Sequence, residues 1–259
     1  MMELYQHFRK EEEAFIDQVL SWREQVERTY QPKVTDFLDP REQQLVTMLI
    51  ATKDSDVNLL FNGGHDFAER KRAVLGPIYE DLQQVDIGLT LLEGHYSIKF
   101  VNLSHRDVMG ACLSLGLKRK ILGDIVVGNG RVQLVVASEI APYVITHLTS
   151  IKNTSMRLRE RPLNDLVIKQ PIWKELETTI SSLRLDVIVK EIYRLPRKEA
   201  REYIKKLLVK VNYKPVDDVA FTLQAGDILS VRGMGRSKLV EVRGRSKKDK
   251  LKVTLARLQ

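Results

Sequence analysis

Hydrophobic residues repeat along this chain with two different periods. Between positions 3 and 29, Phe8, Phe15, Ile16, Val19, Leu20 and Val26 recur at helical spacing with charged residues between them, which predicts an amphipathic helix. Asp39-Pro40-Arg41-Glu42 reads as the start of a second helix. The Asp can cap, the Pro occupies a first position where its missing N–H costs nothing, and the Glu falls at the third. That helix runs on through Leu45, Met48 and Leu49, and positions 54–58 break it. Positions 57–61 suit a short strand and Asn62-Gly63-Gly64-His65 a tight turn leading into a basic strand edge. From about 75 to 160, strand and helix patterns alternate. Positions 85–92 read as a strand, and 104–115 as a helix capped by Ser104 with Val108, Ala111, Cys112 and Leu115 on one face. Positions 124–127 and 132–136 flank Gly128-Asn129-Gly130, a strong hairpin signal, and 139–148 read as another helix. The order β-β-α-β-β-α plus a final strand predicts a small sandwich with its helices on one sheet face. Positions 161–181, with Pro162 and Pro171, read as a linker in which 173–180 form a short helix.

Charge divides the chain unevenly. Positions 182–259 carry 20 Lys+Arg and 9 Asp+Glu, a net of +11, whereas the whole chain is +8, so the first 181 positions sum to −3. A mildly acidic body therefore carries one concentrated cationic module, the electrostatic footprint of a nucleic-acid-binding domain joined to something else. The arrangement of that charge is informative. At about 100° per residue, Arg197, Lys198, Arg201 and Lys205 fall in one quadrant of a helix and Ala200, Tyr203, Ile204 and Leu207 on the opposite side. Like charges that close repel by a few tenths of a kcal/mol per pair, a cost that a polyanion relieves. A solvated polar face is the bland alternative. On this reading Arg197 and Arg201 lie outside the core, so that replacing both by Ala would leave the fold nearly intact.

These residues carry a resemblance. Arg184-Leu185-Asp186, the stretch 195–204, Lys210-Val211-Asn212 and Gly226-Asp227-Ile228 resemble the RNA-binding module named after small-subunit ribosomal protein S-four. That module has two short helices, the second rich in Arg and Lys, then a KVN strand and a later GD-hydrophobic strand. Position by position, the resemblance implies an RNA face of Arg184, Arg197, Lys198, Arg201, Lys205, Lys210 and Asn212, with Arg232 and Arg236 at the rim. Tyr213 departs from the pattern, standing where the module usually has Gly; its ring could serve as a stacking surface for a base. Pro196 replaces the usual Ser cap. Beyond the module, a basic segment holding Arg243, Arg245, Lys247, Lys248 and Lys250 lies between two short strands and extends the phosphate-contacting surface as a hairpin tip. Arg70, Lys71 and Arg72 are candidates for a further RNA contact. The middle region is similar in topology to RNA-recognition folds, but it has no aromatic pair of the RNP type on adjacent strands.

Other chemistries find little support. The glycine-rich stretch at 63–79 lacks the Lys-Ser/Thr ending of a P-loop and the spacing of a dinucleotide fingerprint. His105-Arg106-Asp107 has none of the other kinase elements. His7, His65, His95, His105 and His147 show no metal spacing, and Cys112, the single cysteine, excludes a disulfide or a Cys-cluster metal site within the chain and reads as a small core residue. No metal or cofactor is expected. No stretch approaches 18 apolar residues and the start has no signal core, so a soluble, cytosolic protein without membrane partners is expected. Arg184-Leu185-Asp186 mimics the catalytic tripeptide of pseudouridine synthases, but it opens a helix whose buried stripe is Leu185, Ile188 and Ile192.

With the upstream motifs FLDPRE (37–42), GGHDFAERKRA (63–73), LGLKRKILGDI (115–125), SSLRLD (181–186) and SVRGMGR (230–236), nearly the whole chain resembles the bacterial YlmH family. The resemblance implies a cytosolic RNA-binding protein associated with ribosomes, and related stand-alone modules bind the large subunit in quality control of stalled nascent chains. The expected architecture is α+β and multi-domain: a mostly helical region at 1–74, a central RRM-like sandwich at 75–160, the linker at 161–181 and the S-four-type module with a C-terminal hairpin at 182–259. The expected function is non-catalytic binding of structured RNA, ribosomal RNA or ribosome-bound tRNA. An RNA-modifying enzyme of the pseudouridine-synthase type and a protein-binding adaptor linked to cell division are the alternatives.

Overall fold

The computed structural model describes residues 8, 10–51, 56–168 and 170–259. The expected helix at 3–7 and position 9, and part of the expected break at 54–58, lie outside the described residues. The chain forms two compact units, 1–169 and 170–259.

In the first unit, a single 3₁₀ turn leads into α1 (Glu13–Thr29), then β1 (Lys33–Leu38), α2 (Pro40–Ile50), β2 (Val57–Asn62) and β3 (Lys71–Pro77). Among its described residues the N-terminal region thus has strands beside its helices. It holds a three-stranded antiparallel sheet, ordered β1-β3-β2. The Asp39 carboxylate accepts from the Arg41 and Glu42 N–H groups, and Glu42 reaches back to the Asp39 N–H at 2.7 Å, a complete capping box for α2. Strand β3 is central rather than an edge. Its run Ala73-Val74-Leu75 is buried on both faces, Ala73 and Leu75 against Ile16, Val19, Val46 and Ile50 of the two helices, and Val74 against Leu82 and Ile87. A strand covered on both sides needs no polar alternation, which is why the 2-residue period is missing from its sequence.

The rest of the first unit comprises β4 (Leu89–His95), α3 (His105–Ser114), β5 (Leu122–Gly128), β6 (Arg131–Ala137), α4 (Ala141–His147), a small hairpin of β7 (Ser150–Ile151) and β8 (Thr154–Ser155), and β9 (Arg159–Arg161). One strand, not two, precedes α3, and it starts four residues later than expected. The sheet order β5-β6-β4-β9 is all antiparallel, and the succession β-α-β-β-α-β is the ferredoxin-like arrangement shared by RNA-recognition folds. The β5–β6 turn is type I′, with φ 52° at Asn129 and 73° at Gly130. One sheet face packs Leu92, Val132, Leu134 and Val136 against Val108 and Cys112 of α3 and Ala141 and Val144 of α4. The other face, on which an RNA-recognition fold would lay its RNA, is occupied. Leu91, Val135 and Ala137 pack there against Phe37 of β1 and against Leu166, all five fully or almost fully buried. Gly123 on β5 has no Cβ because one would stand 2.7 Å from the Phe37 ring. Burying Phe37 contributes roughly 1.5–3 kcal/mol.

The second unit contains β10 (Trp173–Ile180), α5 (Leu185–Tyr193), α6 (Arg197–Lys205), β11 (Val209–Val211), β12 (Lys214–Pro215), β13 (Ile228–Val231), β14 (Gly235–Arg245) and β15 (Leu251–Leu258). Positions 173–180, expected as a short helix in a linker, are a strand paired residue for residue with β15, from Trp173↔Leu258 to Ile180↔Leu251. β9, also inside the expected linker, pairs with β4. The six-stranded antiparallel sheet runs β10-β15-β14-β13-β11-β12, with α5 and α6 on one face over Val209, Val211, Leu229, Val231, Leu239, Val253 and Leu255. Leu207 does not join that core. It follows the end of α6 in the left-handed region at φ 56° and is 54% exposed.

Candidate nucleic-acid interface

The cationic helix face is organised by a buried acid. Leu185, Ile188, Val189 and Ile192 fix the inner side of α5, and the N–H groups of Leu185 and Asp186 are held by the Phe221 and Val219 carbonyls, so the first turn is clamped. Asp186 is completely buried. Its carboxylate accepts from Arg184 Nε at 3.0 Å and Nη2 at 3.3 Å, and from Arg197 Nε at 3.3 Å, with Arg201 Nε at 3.5 Å. Pro196 caps α6 without a side-chain bond, and this ion-paired cluster links the start of α6 to α5 alongside the apolar packing of Leu195, Ala200 and Ile204. Burial alone would push the Asp186 carboxyl up. The hydrogen bonds and charge of Arg184, joined by Arg197, outweigh it and hold the group below the usual carboxylate value. The same pairing raises the Arg184 guanidinium above its ordinary value.

The three arginine side chains stay 35%, 58% and 47% exposed for Arg184, Arg197 and Arg201. Their inner nitrogens are spoken for by Asp186, while their outer ends reach water. One buried carboxylate cancels one of three cations, so the cluster keeps a net of about +2, and Lys198 and Lys205 stand exposed on the same helix α6. Guanidiniums held this way present a fixed fork to phosphate oxygens. The carboxylate is enclosed by the three guanidiniums and held below its usual value.

The expected RNA face divides. Arg184, Arg197, Lys198, Arg201 and Lys205 come together around α5 and α6. Lys210 and Arg236 pair across Ser230 from either side and point from the opposite face of the sheet. Arg232 is exposed beyond the end of β13, and its backbone N–H donates to Leu208. Asn212 is buried: its Nδ2 donates to Asp227 Oδ1 at 2.8 Å and its Oδ1 accepts from the Ile228 N–H at 3.0 Å. It clasps β11 to β13 and is not placed for RNA. Asn212 and Tyr213, at φ 46° and 68°, form the turn between β11 and β12, so the left-handed backbone that suits glycine is kept with Tyr in its place. The Tyr213 ring lies under Arg236, 5.8 Å from Cζ to centroid.

Arg70 and Arg72 are structural, contrary to their reading as RNA contacts. Both are 7% exposed. Arg70 donates to the Phe37 carbonyl at 2.7 Å and the Leu122 carbonyl at 3.2 Å, bridging β1 and β5. Arg72 donates to the Thr35 and Gly88 carbonyls and pairs with Glu139. Lys71 donates to the Asp66 carbonyl at 3.0 Å. In the β14–β15 tip, Arg245 pairs with Asp249 at 2.7 Å, while Lys247 and Lys248 are exposed.

Other chemistry-bearing groups have structural surroundings. A hydrogen bond from Lys152, with two from Ser104, holds the Asp107 carboxyl at about 2 at the start of α3. Burial pushes the Cys112 thiol up to about 11, which makes it a poor nucleophile. Among the described residues no group of three or more His, Cys, Asp or Glu side chains could hold a metal ion, and no helix is long and apolar enough to cross a membrane.

Three family descriptions match the chain: "YlmH, N-terminal" over residues 11–80, "Putative RNA-binding domain in YlmH" over 83–165, and "S4 domain" over 183–229. The chain is 43% identical over 257 residues to the Ribosome-associated protein quality control protein P2 of Bacillus subtilis (strain 168), covering 99% of each. It is also similar to the solved structure of Cell division protein ylmH from Streptococcus pneumoniae. That match has a TM-score of 0.56 and 28% identity, covering 63% of this chain and 99% of the other.

Proposed function

The chain belongs to the YlmH family, and from that premise we propose that it is a non-catalytic RNA-binding protein of the cytosol that attaches to the ribosome through its C-terminal unit, in translation quality control. The observation that carries this reading is the buried Asp186 carboxylate with Arg184, Arg197 and Arg201 fanned around it. A buried acid that orients three exposed guanidiniums is a device for meeting phosphates at fixed positions. It is a costly way to build a merely soluble surface. The RNA-binding family matched over residues 83–165 and the name of the Bacillus subtilis relative support the same reading. The RNA is expected to be structured, ribosomal RNA or ribosome-bound tRNA, because Arg197 and Arg201 lie one helical turn apart and can each take a separate phosphate of a fixed backbone.

The test is co-sedimentation of the full chain with ribosomes across a salt series. With five to six phosphates neutralised, log K against log[salt] should slope about −4 to −5. Arg197→Ala with Arg201→Ala should lower affinity at least tenfold, about 1.4 kcal/mol, whereas Lys247→Ala with Lys248→Ala should cost less. A flat salt response, or undiminished co-sedimentation of the arginine variant, would refute the assignment. The double arginine change also leaves Asp186 with Arg184 as its remaining arginine. It should therefore destabilise by about 1 kcal/mol, more than the half kcal/mol usual for an exposed position.

A further inference from the structure

The outer face of the six-stranded sheet, turned away from α5 and α6, carries an ordered set of cations and rings. Pairing register places Lys210, Ser230 and Arg236 side by side on β11, β13 and β14, and Ile228, Lys238, Ala256 and Glu175 side by side on β13, β14, β15 and β10. Trp173, two residues from Glu175, lies on the same face. Lys238 Nζ sits 4.6 Å from the Trp173 ring centroid, and Arg236 lies over Tyr213. The face thus ends in an aromatic ring at either side, each with a cation against it. β10 and β11 are four strand spacings apart, about 19 Å. The two helices of this unit pack on the other face. Its acids are Glu175, Glu177 and Glu241, and the last two close on Arg243, which lies further along β14 than Lys238.

We propose that this sheet face is a second RNA-binding surface, distinct from the Asp186-centred arginine cluster, and that it takes a single-stranded segment: bases stack on Trp173 and Tyr213 while Lys210, Arg236 and Lys238 meet the phosphates between them. Flat, partly exposed rings with cations beside them suit unpaired bases. A duplex hides its base faces in the stack and offers such rings nothing. Trp173, Arg236 and Lys238 lie outside the matched S4 segment, on strands added around it, while Lys210 and Tyr213 lie within it, so the surface is completed only by the extended sheet. The proposal rests on the RNA reading above.

The experiment titrates the full chain with a ten-nucleotide oligouridylate and, separately, with an RNA hairpin. Tryptophan emission should be quenched by the decanucleotide, and Trp173→Phe should abolish the quench, leaving Trp22 as a silent reference. Lys210→Glu with Lys238→Glu should weaken decanucleotide binding at least tenfold and hairpin binding less than threefold. Arg197→Ala with Arg201→Ala should do the reverse. Lys210→Glu alone, at an exposed position, should show a several-fold loss and keeps the test valid if the double variant melts early. Hairpin binding without any decanucleotide quench overturns the sheet-face proposal and leaves the arginine cluster standing. Failure to bind either RNA overturns the reading beneath both.

Discussion

Replacing Asp186 by Asn sets charge against geometry. The change is nearly isosteric and removes one negative charge from the cluster, so the face gains one unit of net positive charge. A purely electrostatic surface would bind RNA more tightly. If Asp186 is instead the post on which Arg184, Arg197 and Arg201 are set, their forks lose their fixed orientation and binding weakens. The stability cost follows from the contacts. Three charge-assisted hydrogen bonds, two from Arg184 and one from Arg197, and the weaker approach of Arg201 are lost. Buried bonds to a charged group contribute roughly 1.5–3 kcal/mol each. The arginine ends here reach water, so screening discounts that figure and no charge is stranded in the interior. A total of about 2 kcal/mol results. In a unit of this size it lowers the melting temperature by about 8–16 °C. RNA affinity, measured well below the melt, should fall about tenfold despite the added charge. Unchanged or tighter binding by Asp186→Asn would refute the positioning role.

Three further outcomes are expected. The Asp186 carboxyl lies below its usual 3.8 in the fold, so its stabilisation is present above that value and is lost as pH falls below it; the C-terminal unit should melt lower at about pH 3 than at about pH 6 in a scanned thermal melt. Arg70→Ala strands the Phe37 and Leu122 carbonyls. It should destabilise the first unit by about 2–3 kcal/mol, while ribosome affinity at low temperature stays within twofold; a tenfold loss there would restore Arg70 as an RNA contact. Tyr213→Gly relieves a side chain held at φ 68°, so it should raise the melt of the C-terminal unit by up to about 1–2 kcal/mol and weaken RNA binding. A lower melt would show the ring contributes more to the fold than its backbone costs.

Much of the fold can be read in the sequence where the signal is local. The capping box at Asp39, the Asn129-Gly130 turn and the buried stripe of α5 are each decided within a few residues, and all appear. The misreadings have a common cause. Arg70-Lys71-Arg72 looks like a solvated charge run because nothing nearby shows that carbonyls of β1, β5 and the β4 approach will surround the two arginines. β3 lacks alternation because both its faces are covered. Positions 173–180 lack an apolar period because β10 is an edge strand exposed on both faces over most of its length, held by backbone pairing to a partner some 80 residues away in sequence. In the candidate site, the sequence shows that Arg184, Arg197 and Arg201 share a module. It does not show that they share a counter-ion, since a lone Asp in a helix is ordinarily exposed. Asn212 fails as a contact for the same reason: its partner Asp227 is 15 residues on.

The occupied outer face of the ferredoxin-like sheet has a consequence for how this protein folds and how it can be cut. The N-terminal and central segments are matched by separate family descriptions, yet Phe37, Leu91, Val135, Ala137 and Leu166 form one apolar seam, and Arg70 stitches its rim. Each segment has a core of its own, but neither covers this seam without the other. The two should therefore unfold in a single cooperative step, and a fragment starting near residue 83 should expose a greasy wall and aggregate. A usable cut lies instead near residue 170. It falls before β10, whereas a cut at 182 would strip the C-terminal sheet of its outermost strand and of Trp173.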